Sequence, residues 1–174
     1  MAREIIEFNC FGLNFRTKQF SAKFASELII SDDEQQSRDI LANTEVLSNG
    51  LWIAFNNDKA INDYMKDKAN IMPPRDVLRV IVGHVMRLNF EWMKSWRGVK
   101  MPARFLSNIE PPESENITSI ISTVISHGLA TLKECEEYYS LQDVFLMIDA
   151  LTVKNVGAAL ANEEAEAEVK RRQR

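Results

Sequence analysis

The chain offers few residues suited to chemistry. Histidine occurs twice, as His84 and His127, and cysteine twice, as Cys10 and Cys135. A zinc site needs ligands in close pairs such as CxxC or HExxH, and neither spacing occurs. His84 sits between Gly83 and Val85 on an apolar helical stretch and reads as structural. His127 precedes Gly128, where a cation suits the end of a helix. The cysteines lie far apart in the chain and read as free, buried thiols in a reducing compartment, with a disulfide between them as the alternative. A dyad of Cys135 with either histidine would make a nucleophile, but free cysteines are mostly inert packing residues. The carboxylates Asp32, Asp33 and Glu34, and Glu134, Glu136 and Glu137, stand among polar neighbours, whereas acid–base work needs burial to shift their pKa values. GxSxG, P-loop and GxGxxG patterns are absent. We expect no enzyme, no cofactor and no metal.

The bases point away from nucleic acid. Formal net charge is -4, the wrong sign for a protein whose main task is gripping phosphates. Two basic trios, Arg16/Lys18/Lys23 and Arg97/Lys100/Arg104, read as solvated faces. Residues 131–155 have the outline of a helix-turn-helix, but a recognition helix needs Arg, Lys, Asn or Gln on its outer face. Between 133 and 149 the only base is Lys133, against Glu134, Glu136, Glu137, Asp143 and Asp149. Nucleic acid is therefore not an expected partner. No run of about eighteen apolar residues occurs, so no membrane span is expected either, and the N-terminus lacks the apolar core of a signal peptide.

With 45% hydrophobic residues in 174, the chain can bury a real core. Residues 3–20 read as strand, turn at Gly12, strand, with Phe15, Thr17 and Gln19 opposite Asn14, Arg16 and Lys18. Ser21 caps a helix over 22–30 that turns Phe24, Leu28 and Ile29 to the sheet. Residues 31–38 read as an exposed connection with a short helix holding Ile40 and Leu41. Asn49-Gly50 predicts a hairpin with both turn residues at positive φ, led into by Val46 and Leu47 and out of by Leu51, Trp52 and Ile53. That hairpin either extends the first sheet or stands beside it. A helix follows from Asn57 or Asp58 through Lys68. The longest stripe, Val77, Ile81, Val85, Leu88, Trp92 and Trp96, predicts a core helix over 74–96. The Pro-rich stretch near 110–115 marks an internal boundary. Ile117, Ile120, Ile121, Val124 and Ile125 form one face of a further helix, closed by Gly128.

The remaining stretch, 131–155, predicts two helices with almost no loop. Thr131 caps the first, and Ser140 the second, with Asp143 completing a capping box. Leu141, Val144, Phe145, Ile148 and Leu151 line one face of the second. Its periodicity persists through Val153, Val156 and Leu160. Beyond lies a charged tail, 161–174, either a frayed helical extension or an arm that orders on a partner. The fold class is α+β, mostly α-helical: one domain over 1–160, with N-terminal antiparallel hairpins packed on helices.

The opening hairpin with its FNCFGLNFRTKQFS pattern, and Tyr138, Tyr139, Ser140, Leu141, Asp143 and Leu151 near the end, make the chain similar to the tail assembly chaperones of long-tailed bacteriophages. The resemblance covers about a third of the chain. It implies a helical protein of the host cell cytoplasm that binds the tape measure protein and keeps it soluble while tail tube subunits assemble around it. The partners so implied are the tape measure and tail tube proteins, and a homo-oligomer is compatible with it. The expected protein-binding residues are Tyr138, Tyr139, Leu141, Phe145, Met147, Ile148 and Leu151. A virion structural protein and a DNA-binding regulator are the alternatives.

Overall fold

A computed structural model describes residues 3–30, 34–55, 73–105, 114 and 116–173. The chain opens with four strands, β1 (Ile5–Cys10), β2 (Leu13–Lys18), β3 (Thr44–Ser48) and β4 (Leu51–Ala54), and between β2 and β3 lie α1 (Ala22–Ile30) and α2 (Glu34–Ala42). The helices α3 (Pro74–Phe90), α4 (Ser119–Ser126), α5 (Leu132–Glu137) and α6 (Leu141–Arg172) follow. The fold is α+β and mostly α-helical. The helix expected over 57–68 and the boundary near 110–115 lie outside the described residues.

The strands form one antiparallel sheet in the order β1-β2-β3-β4. The second hairpin therefore extends the first, with Phe15 paired to Val46. Both tight turns use left-handed residues, Phe11 (φ 52°) with Gly12 (φ 75°) and Asn49 (φ 50°) with Gly50 (φ 79°), the geometry that matches strand twist in two-residue loops. Alternation sends Phe8, Cys10, Phe15 and Val46 inward, where they pack with Leu41, Phe55, Val77 and Ile81. Phe8 stacks on Phe15 with centroids 5.3 Å apart. On the outer face Arg16 pairs with Glu45 and lies 4.5 Å from the Trp52 ring centre.

Two further clusters continue this core. Phe20, Ala25, Leu28, Ile40, Val85 and Leu141 form the second; Ala22, Ile121, Val124, Ala130, Cys135 and Val144 form the third. Thus α3 links the sheet to the middle of the molecule, and α1 links the middle to α4–α6. Ser21 caps α1 by accepting the Phe24 N–H. The inward face of α1 is Ala22, Ala25, Ser26 and Leu28. Ile29, expected to face the sheet, is 48% exposed, because it lies about 100° around the helix from Leu28.

The core helix also ends earlier than its stripe. α3 stops at Phe90 and a 3-10 turn, Glu91–Lys94, takes over. The cause is Asn89, which is 5% exposed. Its Oδ1 accepts the Phe20 N–H at 2.8 Å and its Nδ2 donates to the Val85 carbonyl at 2.9 Å, while its own carbonyl takes the Trp92 indole N–H at 2.8 Å. That indole competes for the carbonyl, and Phe90 leaves helical geometry at φ -118°, ψ -5°. Trp92 and Trp96 are thereby swung into contact with Phe145 of α6.

Candidate functional site

The corner between α5 and α6 is built from two consecutive capping boxes. Thr131 Oγ1 accepts the Glu134 N–H (3.2 Å) and the Glu134 carboxylate accepts the Thr131 N–H (2.8 Å). Ser140 and Asp143 repeat the arrangement at 3.2 and 3.0 Å. Each box satisfies donors that a helix start leaves open. The second box was legible beforehand. The first was not anticipated, although Thr131-x-x-Glu134 is the same signature. The Tyr139 carbonyl accepts the Ala22 N–H at 2.8 Å, and Lys23 pairs with Glu136 at 2.7 Å, so the start of α1 docks on this corner. Arg3 donates to the Glu137 carbonyl at 3.1 Å.

The Glu134 carboxyl is held below its ordinary pKa, first by the Thr131 backbone N–H and then by the Thr131 hydroxyl. A depressed acid stabilises the fold above its unfolded pKa and loses that contribution as pH falls through its folded pKa. Glu134→Gln keeps the reciprocal hydrogen bonds but cannot titrate. Chemical denaturation from neutral to strongly acidic pH should therefore show a modest wild-type advantage that disappears on the acid side. A gap independent of pH would contradict this role.

The structure divides the expected binding residues by depth. Leu141 is 3% exposed and lies in the second cluster. Phe145 is half-buried and meets Trp92 and Trp96 edge-on, at 5.4 and 5.8 Å. Tyr139, Met147 and Ile148 pack against the third cluster. Leu151 is half-buried, and Tyr138 is 47% exposed beside Tyr139. Most of the stretch therefore roots α6 in the core. What α6 offers to solvent is its opposite side, where Leu146, Val153 and Leu160 are 49%, 58% and 41% exposed. Their seven-residue spacing was present in the sequence but masked by the inward stripe that runs beside it.

α6 continues without interruption through the charged segment to Arg172, where Arg172 pairs with Glu168 at 2.6 Å. Ala, Glu, Lys and Arg are strong helix formers, which explains a helix where apolar periodicity has faded. A strap of residues 97–105 runs along its flank. The Val99 N–H reaches Asp149 Oδ1 at 3.3 Å, and Arg104 forks the Glu163 carboxylate at 3.1 and 2.8 Å. Arg104, Arg97 and Lys100 are all exposed, as expected of a solvated face, and Arg104 uses that position to pair with the arm. In the other basic trio Arg16 pairs with Glu45 and Lys23 with Glu136.

Reactive groups stay dispersed. Cys10 and Cys135 are free and buried in separate clusters, and burial pushes both thiols up in pKa, with Glu134 and Glu136 adding to the effect at Cys135. His84 stacks on Phe8 at 6.0 Å. Among the described residues no group of three or more His, Cys, Asp and Glu is placed to hold a metal ion. α6 is long and apolar enough to cross a membrane by length and composition, and little of its apolar stretch is buried. It also carries Asp149 and Lys154 between Leu146 and Leu160, charges that are rare at bilayer depth. Comparison with protein-family models, with characterised proteins and with solved structures finds no match.

Proposed function

We propose that the protein is a tail assembly chaperone of a long-tailed bacteriophage, acting in the host cell cytoplasm by binding and not by catalysis. Its client is the tape measure protein, held soluble while tail tube subunits polymerise around it. The observation that carries the reading is α6: a helix rooted by Leu141, Val144 and Phe145 whose outer face leaves Leu146, Val153 and Leu160 in solvent. Large apolar side chains aligned on an open helix face mark a protein-binding surface, and a long apolar-striped client helix would lay its own stripe against them. The acidic surface around Asp143 and Asp149 makes the same face a poor reader of DNA.

The test is co-expression with fragments of the tape measure protein encoded alongside it. The wild type should keep a fragment in the soluble fraction and co-purify with it, and Val153→Asp should lose both effects while remaining folded. Salt-dependent binding to duplex DNA would favour the regulator instead, and recovery of the protein from purified particles would favour a virion component.

A further inference from the structure

Two cavities adjoin at the end of β2, and Lys18 and Asn43 stand in the walls of both. In the wider one, of about 280 Å³, Arg16 is neutralised by Glu45. The smaller, of about 150 Å³, is lined by Arg3, Lys18, Phe20, Ser21, Phe24 and Asn43. That lining holds cations and no carboxylate among the described residues. Neither Lys18 nor Arg3 has an ion-pair partner among them. Arg3 gives its Nε–H to the Glu137 carbonyl at 3.1 Å and one Nη1 hydrogen to the Gln19 carbonyl at 3.3 Å, which leaves its Nη2 group over. Burial pulls the Arg3 guanidinium down from its ordinary pKa, and the Glu137 charge offsets part of that. Ser21 adds an independent observation. It is 7% exposed, and its Oγ accepts the Phe24 N–H at 3.3 Å. Its own hydroxyl proton and its backbone N–H find no acceptor among the described residues, although buried donors are seldom left without one.

We infer that the smaller cavity binds the carboxylate end of a small organic acid, whose apolar part lies against Phe20 and Phe24. The ionised group supplies the negative charge that Arg3 and Lys18 lack and accepts the Ser21 O–H. Such charge-assisted bonds are shorter and stronger than neutral ones. The aromatic wall distinguishes an organic acid from inorganic phosphate. Phe20 and Phe24 meet edge-on, with centroids 5.2 Å apart, and small-ligand sites combine such apolar lining with a few converging polar groups. Volume sets the size. A cavity of about 150 Å³ admits a benzene ring, so an acid of butyrate or benzoate size fits and a long-chain acid does not. Asn43 spends its Nδ2 on the Asp39 carbonyl, which leaves Oδ1 to accept an N–H beside the carboxylate, as at the C-terminal residue of a peptide. The carboxylate can thus come from a free acid or from a chain end. None of these residues belongs to α6, so the inference is independent of the client.

The experiment follows the backbone amide signals of the isotope-labelled full chain by NMR during titration with sodium butyrate at constant ionic strength. Butyramide is the uncharged counterpart. Butyrate should give saturable shifts centred on Lys18, Ser21 and Phe24, and butyramide should give none there. Lys18→Met keeps the aliphatic stem, removes the charge, and should weaken butyrate binding by about tenfold or more. Lys23→Met should bind as the wild type does, since Lys23 pairs with Glu136 and does not line the cavity. An acetylated dipeptide with a free C-terminus separates the sources. Tighter binding than butyrate assigns the carboxylate to a chain end, and weaker binding assigns it to a free acid. The inference is overturned by absent or non-saturating shifts, by equal shifts from butyramide, by tighter binding of inorganic phosphate than of butyrate, or by unchanged binding in Lys18→Met.

Discussion

Replacing Phe145 with alanine should lower folding stability by about 3 kcal/mol, the lower end of the range for large aromatic truncations because the ring is half-buried. Three edge-to-face contacts join Trp92, Trp96 and Phe145, with centroids 5.3, 5.4 and 5.8 Å apart, and such pairs contribute about 0.5–1.5 kcal/mol each beyond their burial. For a chain of this length the loss corresponds to a melting temperature lower by about 6–12 °C. Thermal unfolding followed by circular dichroism measures it. Phe145→Leu keeps most of the volume and should lose about half as much or less. A Phe145→Ala protein as stable as the wild type would mean that α6 is not rooted through this cluster.

Asn89→Ala should be of comparable size, about 2–4 kcal/mol, for a different reason. It removes one buried acceptor and leaves the Phe20 N–H without its 2.8 Å partner, and an orphaned buried donor costs about 1–3 kcal/mol beyond the bond itself. Denaturant unfolding gives the total. Amide hydrogen exchange gives the mechanism: the Phe20 amide should lose its protection well beyond the change in global stability. Uniform exchange acceleration across the molecule would instead indicate a simple packing loss.

Local chemistry was the legible part of this sequence. Asn49-Gly50 specified a turn with two left-handed residues, Ser21 and Ser140 specified helix starts, and Gly128 specified a left-handed stop at φ 67°. Each depends on a few adjacent residues, so each could be read in isolation. Where a tertiary contact overrode a local pattern, reading failed. The stripe through Trp92 and Trp96 continued the core helix on paper, but the Asn89 side chain accepts the N–H of Phe20, sixty-nine positions away, and no periodicity records that. Ile29 failed similarly, because small residues, Ala22, Ala25 and Ser26, form the close-packed side of α1. The candidate site was half legible. Its root, Leu141 and Phe145, followed from spacing; its open face, Leu146, Val153 and Leu160, required knowing which side the core had taken.

That separation of root from face defines the decisive measurement. A fluorescently labelled tape measure segment is titrated with wild type, Phe145→Leu and Leu160→Asp proteins, each first shown to be folded. The expected result is that wild type and Phe145→Leu bind alike, while Leu160→Asp retains its melting temperature within the small change usual for an exposed site and loses binding by at least an order of magnitude. Equal binding by Leu160→Asp and wild type would contradict a client surface on the outer face of α6.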